Sequence, residues 1–227
     1  MGRVHTPLRW DRWRSALAPH PDRDFADFLL DGIVSGFRIG FDYQRHTCRE
    51  ARGNMASVRE DESLISAYLE EERRLGRVVG PLDYSSFPAI HCSPIGLIPK
   101  GSSGKWRLIV DLSSPQGYSV NDGISSDLCS LEYVTVDMIA DVVLGFGAGA
   151  VVLSKVDIRS AYRLVPVHPE DRWLLGMRWG GQVFVDTVLP FGLRSAPKLF
   201  TACKVVKPGR TFLRRIFELL ASVRLDH

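Results

Sequence analysis

Residues 153–169 read LSKVDIRSAYRLVPVHP, and residues 188–197 read VLPFGLRSAP. The apolar run from Ala150 to Val156 predicts a strand that places a single acid, Asp157, at its end. A tight turn over residues 158–162 follows, and its backbone amides would lie close to that carboxylate. Because carboxylate oxygens suit Mg²⁺ and backbone amides suit phosphate, the pattern favours a site for a metal-bound phosphate ligand. An acid after a strand is also a common cap or turn residue, and the pattern alone leaves that alternative open.

A second chemical pattern lies in a predicted hairpin upstream. Residues 95–100 and 105–111 are predicted strands, joined by a four-residue loop from Gly101 to Gly104. Pairing in register would place Arg107 opposite Ile98 and would gather three cations on one face: Lys100, Lys105 and Arg107. The alternate residues would take the other face, as in a core: Trp106, Leu108 and Val110. Three neighbouring cations favour an anion such as a nucleotide triphosphate, although an ordinary solvated face fits the same pattern.

The first third of the chain contains one short helical stretch and one clearly amphipathic helix. Residues 1–56 contain one short helical stretch, residues 24–30, and we expect a loosely packed leader there. Ser57 and Glu60 have the spacing of a capping box, and the apolar stripe after them predicts an amphipathic helix. Gly76 would end that helix. Further along, a second hairpin over residues 174–186 would turn at two glycines, and a helix would run from about Ala196 toward Lys207.

The bulk composition excludes few functions. Of the 227 residues, 45% are hydrophobic and 24% are charged, and the net charge of +3 permits a nucleic-acid partner without indicating one. The four cysteines form no C-x-x-C pair, which is typical of a reducing compartment and disfavours a zinc site. No secretory leader opens the chain, and no apolar run is long enough to span a bilayer. We therefore expect an intracellular protein, cytoplasmic or nuclear, without a membrane partner.

Three segments in order resemble a known family. SPIGLIPKGSSGKWRLIVDLSSPQGYSVNDGI at residues 93–124, together with the two segments quoted above, resembles the reverse transcriptases of retroelements, most closely those of DIRS-type retrotransposons. The resemblance implies an α+β fold: a partial right-hand polymerase in which an antiparallel sheet packs against helices. It divides the chain into a leader over 1–56, an amphipathic helix over 57–80, a fingers-like region over 81–149 and a partial palm over 150–227.

The resemblance also implies a role for each motif residue. Lys100 and Arg107 would hold the triphosphate of an incoming deoxynucleotide. Asp157 would be the first catalytic carboxylate and, with the Ile158 carbonyl, a ligand in a site for two Mg²⁺ ions. Tyr162 would lie under the sugar and exclude a 2′-hydroxyl, although core packing also explains an aromatic residue there. The remaining nucleotide contacts would come from two backbone amides and one loop: Ser160, Ala161, Phe191 and Gly192.

Basic residues follow the third segment and predict contacts to an RNA or DNA template–primer. They are Lys198, Lys204, Lys207, Arg210, Arg214 and Arg215. A solvated face explains them equally well. The family's last motif, Tyr-x-Asp-Asp, is missing, since the sequence contains no Asp-Asp pair. Either Asp226 stands for the first acid of that motif, or the chain is truncated just before it.

The sequence therefore predicts a fragment of a reverse transcriptase, ancestrally a two-metal nucleotidyltransferase, that is inactive as this chain because its metal site is incomplete. Three alternatives stay open. The first is a binder of nucleic acid or nucleotides, derived from a reverse transcriptase and without catalysis. The second is an active polymerase that takes the missing carboxylates from Asp226 or from a partner chain. The third is an unrelated globular protein whose motifs are coincidental.

Overall fold

The computed structural model consists of helices and short strands, and it describes residues 4–51, 53–83, 85, 89–99, 101, 106–131, 133–146 and 158–204. The helices are α1 (Trp10–Leu17), α2 (Arg23–Ser35), α3 (Glu62–Arg74), α4 (Val136–Phe146) and α5 (Ala196–Lys204). The strands are β1 (Val78–Leu82), β2 (Cys92–Ser93), β3 (Ile95–Pro99), β4 (Trp106–Val110), β5 (Gly176–Trp179) and β6 (Gln182–Asp186). Within the described ranges, no helix has the length and apolar character needed to cross a membrane.

A four-stranded sheet joins strands from separate parts of the chain in the order β1-β6-β5-β2. Strand β6 pairs antiparallel with β1 and with β5, whereas the short β2 runs parallel to β5. The β5–β6 hairpin turns at Gly180 and Gly181, whose φ angles of 56° and 75° are accessible to glycine without a Cβ clash. Strands β3 and β4 form a separate antiparallel hairpin. The predicted α+β class and both predicted hairpins are confirmed.

Among the described residues of the first 56, those from Leu8 to Phe41 contribute to the main core, so the expectation of a loosely packed leader was wrong for them. Trp13 of α1 is 1% exposed, and Leu29 and Ile33 of α2 are buried with it. The helical stretch predicted at residues 24–30 is confirmed within the longer α2, whose start is capped by Asp22 accepting a hydrogen bond from the Phe25 amide at 2.9 Å. Charged residues between the apolar ones made this segment resemble a loose leader, because its core partners are supplied by residues far downstream.

Helix α3 begins later than its sequence signal predicted. Residues 56–60 form a 3₁₀ turn, and Asp61 is the N-cap that accepts from the Leu64 amide at 2.9 Å. The Ser57 hydroxyl instead accepts from the Leu97 amide at 3.0 Å and so holds the turn to β3. The capping-box prediction was therefore wrong. The predicted end at Gly76 is confirmed by its φ of 70° and by its amide, which donates to the Arg73 carbonyl.

A buried ion cluster ties α3 to the sheet and to the turn that follows the predicted catalytic strand. Arg163 Nη2 lies 2.7 Å from Glu72 Oε2 and 2.6 Å from Asp186 Oδ1. Arg77 adds a contact to Glu72 at 3.4 Å. Burial by itself lowers the pKa of Arg163, but attraction to Asp186 and to its other neighbours outweighs burial, so the pKa is raised. Arg163 therefore stays charged and holds three elements in one arrangement.

Candidate functional site

A surface cleft opens between α3 and the β3–β4 hairpin. Its volume is about 480 Å³, and Tyr68, Arg107 and Phe191 are among the residues that line it. Arg107 is exposed and pairs across the hairpin with Ile98, in the register that the sequence predicted. Within the described part of the chain, the guanidinium of Arg107 makes no hydrogen bond or ion pair with another residue, and Arg107 lines the cleft. Lys100 and Lys105, the other predicted cations, lie outside the described residues.

The opposite side of the cleft is formed by α3. Burial raises the pKa of Tyr68 to about 12, so its hydroxyl stays protonated at physiological pH. Arg163 and Asp186 also act electrostatically on this hydroxyl. Helix α3 therefore carries both Tyr68, which lines the cleft, and Glu72, which belongs to the buried ion cluster.

The turn after the predicted catalytic acid has an uncommon backbone. Asp157 lies outside the described residues, which resume at Ile158. Ser160 adopts left-handed angles, φ 53° and ψ 37°, a conformation that costs a residue with a Cβ about 1–2 kcal/mol. Its carbonyl accepts from the Arg163 amide at 2.8 Å, and Ala161 packs against the main core. The turn is therefore held at both ends, and phosphate binding by its amides stays a prediction.

Tyr162 joins this turn to the next motif through its ring. The ring centroid lies 5.4 Å from that of Phe191 and 5.5 Å from that of Phe200 of α5, the latter in an edge-on arrangement. Burial raises the pKa of Tyr162. The packing alternative for Tyr162 is thus observed, and a contact to a nucleotide sugar stays a prediction alongside it. Phe191 is 50% exposed, so it rests on Tyr162 and also presents a free face to the cleft.

A buried amide that the sequence reasoning did not select, Asn121, positions the Phe191 loop. Its Nδ2 donates to the Gly192 carbonyl at 2.8 Å and to the Ser113 hydroxyl at 2.9 Å, and its Oδ1 accepts from the Arg194 amide at 2.8 Å. Gly192 has a φ of 92°, and a Cβ there would lie 3.2 Å from the Val110 carbonyl, so the loop lies against the end of β4. The sequence Asn121-Asp122-Gly123 is typical of a turn, and nothing in it indicates that the Asn121 side chain would bond to the Phe191 loop.

The structure brings together four of the predicted site residues: Arg107 and Phe191 line one cleft, Tyr162 packs under Phe191, and Gly192 touches β4. The basic residues are placed only in part. Lys198 is exposed on α5, and Lys204 ends that helix, but its side chain is not described. The other predicted residues of this set lie outside the described residues: Lys207, Arg210, Arg214, Arg215 and Asp226.

No magnesium site can be assembled from the described part of the chain. Among those residues, no group of three or more His, Cys, Asp or Glu side chains lies close enough to hold a metal ion. The predicted Mg²⁺ ligands are Asp157, which is outside the described ranges, and the carbonyl of Ile158. Metal binding at this position therefore stays a prediction.

Comparison with known sequences gives relatives among retroelement polyproteins. No protein-family model matches the chain. The Transposon Tf2-3 polyprotein of Schizosaccharomyces pombe is 28% identical over 112 residues, which are 49% of this chain and 8% of the polyprotein. The Pro-Pol polyprotein of feline foamy virus is 25% identical over 117 residues, which are 48% of this chain and 8% of the polyprotein. The chain thus matches a small part of the length of these relatives.

Comparison with solved structures identifies the fold. A structure of prototype foamy virus protease-reverse transcriptase has a TM-score of 0.55 and 17% identity, over 93% of this chain and 31% of that chain. A foamy viral protease-reverse transcriptase in complex with double-stranded DNA has a TM-score of 0.54 and 17% identity, over 93% of this chain and 41% of that chain. A foamy viral protease-reverse transcriptase in complex with an RNA/DNA hybrid has a TM-score of 0.51 and 15% identity, over 94% of this chain and 27% of that chain. The chain has a reverse transcriptase-like fold, and its sequence is similar to retroelement polyproteins.

Proposed function

We propose that the chain is part of a retroelement reverse transcriptase of the DIRS type, with its nucleotide site in the cleft beside Arg107. The observation that carries the proposal is the meeting of three separate motif segments: Arg107 and Phe191 line one cleft, and Phe191 packs on Tyr162. Similarity to retroelement polyproteins and the reverse transcriptase-like fold support the same assignment. In this assignment, β3–β4 belongs to the fingers and the β5–β6 region to the palm.

The proposed reaction of the intact enzyme is transfer of a nucleotide to a growing DNA strand. The primer 3′-hydroxyl attacks the α-phosphate of a deoxynucleotide, and pyrophosphate leaves. Two Mg²⁺ ions, when bound, stabilise the attacking and leaving oxygens, and Asp157 with the Ile158 carbonyl would hold them. Lys100 and Arg107 would bind the triphosphate through charge-assisted hydrogen bonds. The protonated Tyr162, fixed by Phe191 and Phe200, would support the sugar.

The proposed macromolecular partner is an RNA or DNA template–primer. Foamy viral neighbours of the same fold are complexes with double-stranded DNA and with an RNA/DNA hybrid. The exposed Lys198 lies on α5, next to the Phe191 loop, and begins the basic series that continues in the sequence to Arg215. Because phosphate contacts dominate such affinities, binding should weaken steeply as salt rises.

Replacing Arg107 with alanine is expected to weaken nucleotide binding. Hydrogen bonds to a charged group contribute about 1.5–3 kcal/mol, so the dissociation constant for dATP with Mg²⁺ should rise by about 10- to 100-fold. Isothermal titration of the full chain measures this change. Arg45→Ala is the matched control, since Arg45 is also an exposed arginine, with its side chain 88% accessible, but does not line the cleft. Equal affinities of Arg107→Ala and the unmodified chain would remove Arg107 from the site.

Primer extension tests whether this chain catalyses the proposed reaction alone. With an RNA template, a DNA primer and Mg²⁺, we expect no incorporation, because the sequence contains no Asp-Asp pair to complete the metal site. Binding of the same duplex at low salt should persist and should fall as salt rises. Incorporation that disappears in Asp157→Asn would contradict the expected inactivity. Absence of binding at low salt would contradict the proposed partner.

A further inference from the structure

The turn from Ser160 to Tyr162 has a backbone that the rest of the fold must hold in place. Among the described residues, Ser160 is the one non-glycine residue with a positive φ, 53°. A conformation of this kind persists only where surrounding contacts fix it, and such residues concentrate at ligand-binding sites. In the proposed function, Tyr162 of this turn supports the sugar of a nucleotide. The contacts that hold the turn therefore also hold a residue of the site.

Arg163 holds this turn with both its backbone and its side chain. Its amide donates to the Ser160 carbonyl at 2.8 Å, which closes the turn. Its side chain is 4% exposed and lies 2.7 Å from Glu72 and 2.6 Å from Asp186. Because both carboxylates are buried, the guanidinium cannot move away without leaving them uncompensated. A single residue thus joins the backbone of the turn to α3 and to β6.

The two anchors of this guanidinium belong to elements that border the cleft or lead to it. Glu72 follows Tyr68 by four residues, so the side chain that lines the cleft and the one that binds the guanidinium share a face of α3. Asp186 is the last residue of β6, and the chain continues from it to the Phe191 loop. Tyr162 packs its ring on Phe191 at a centroid distance of 5.4 Å. The position of the turn therefore affects the wall of the cleft that Phe191 forms.

We infer that Arg163 is a positioning residue of the proposed nucleotide site: its guanidinium, held by two buried carboxylates, fixes the turn that carries Tyr162. The inference rests on the proposed function and adds to it a residue that acts through the turn, since the buried side chain is out of reach of a ligand in the cleft. A turn that is fixed before the nucleotide arrives loses less entropy on binding. A residue that contributed only to global stability would leave the affinity of the folded protein unchanged.

Two substitutions of Arg163 test the inference, with dATP and Mg²⁺ as the probe. Arg163→Met removes the cation, whereas Arg163→Lys keeps a cation but lacks the planar fork that binds two carboxylates at once. The dissociation constant should rise by about tenfold in Arg163→Met and by less in Arg163→Lys, because a loosened turn must be ordered on binding. Isothermal titration of the full chain measures the change, under conditions where circular dichroism shows that each variant is folded.

Trp13→Ala is the matched control for global stability. Trp13 is buried in α1 and, within the described part of the chain, makes no hydrogen bond or ring contact with the turn. Its removal should destabilise the protein about as much as Arg163→Met does, yet it should leave the dissociation constant for dATP unchanged. Equal losses of affinity in Trp13→Ala and Arg163→Met would assign Arg163 to global stability alone and overturn the inference.

Amide hydrogen exchange without nucleotide gives a second readout of the turn. The Val165 amide donates to the Tyr162 carbonyl at 3.1 Å, so its exchange reports on local opening. Its rate should rise by about tenfold in Arg163→Lys, while the amides of α2 keep their rates and show that the change is local. An unchanged rate at Val165 would show that the turn does not depend on the guanidinium.

Failure of the inference and failure of the proposed function give different results. If Arg107→Ala weakens dATP binding and neither Arg163 variant does, the inference alone is overturned. If the unmodified chain binds no dATP, the proposed function is overturned, and the exchange rate of the Val165 amide still decides whether Arg163 fixes the turn.

Discussion

Replacing Arg163 with methionine should lower the free energy of unfolding by about 3–5 kcal/mol, because it leaves buried carboxylates without their cation. The Arg163 side chain is 4% exposed and lies within 2.7 Å of both Glu72 and Asp186. Those contacts join α3, the turn after Ile158 and β6. Urea unfolding followed by circular dichroism measures the change.

The loss in free energy of unfolding caused by Arg163→Met should become smaller as the pH falls from about 8 to about 5. Burial raises the pKa of Asp186 in the native protein, and Arg163 opposes that rise. Without Arg163, the folded-state pKa of Asp186 rises further above its unfolded value, so the folded state takes up a proton more readily and recovers stability at low pH. Glu71→Ala, which breaks the surface pair with Arg74, should leave the urea midpoint nearly unchanged. A deficit that stays constant with pH would contradict this account of the cluster.

Replacing Trp13 with alanine should cost about 3–5 kcal/mol, the range for removing a large aromatic side chain from a core. Trp13 is 1% exposed and belongs to the core cluster that also contains Leu29, Leu174 and Phe200. Because these partners come from both ends of the described chain, the cavity would weaken the whole unit. Thermal unfolding should show one cooperative transition at a lower midpoint.

Trp10→Ala in the same helix is the matched control for Trp13→Ala. Trp10 is 41% exposed, and its ring is covered by the Arg14 guanidinium at 5.2 Å, so its removal should cost about 1 kcal/mol or less. Equal effects of the two substitutions would indicate that residues 1–56 are a loose leader after all. A separate early transition in Trp13→Ala would show that α1 and α2 unfold independently of the rest.

Short-range sequence patterns predicted the two hairpins, because their strands and turns depend on neighbouring residues. The β3–β4 hairpin and its register followed from period-2 alternation around a Gly-rich loop, and the pairing of Ile98 with Arg107 confirms it. The turn at Gly180 and Gly181 followed from glycine's access to positive φ. For the candidate site, the sequence supplied the motif residues, and the structure places the rings of Tyr162 and Phe191 side by side, while their roles stay predictions.

What the sequence did not reveal depends on partners that are distant along the chain. Asn121 hydrogen-bonds a carbonyl 71 residues away, and Arg163 pairs with an acid 91 residues away. Asp61 rather than Ser57 caps α3, because the Ser57 hydroxyl is engaged by β3. In each case, a polar side chain could bond to several nearby groups, and a tertiary contact determines which partner it takes. The residues around it in the sequence do not identify that partner.

The bridging amide of Asn121 has a consequence for ligand recognition. It connects Ser113, shortly after the strand that bears Arg107, to the backbone on either side of Leu193. The end of β4 and the Phe191 loop, which meet on the side of the cleft opposite α3, are therefore joined by hydrogen bonds, so their relative position is fixed before any ligand arrives. A ligand that contacts both Arg107 and Phe191 would bind with little loss of conformational entropy in this part of the protein, and one that forces them apart would have to break a buried hydrogen-bond network.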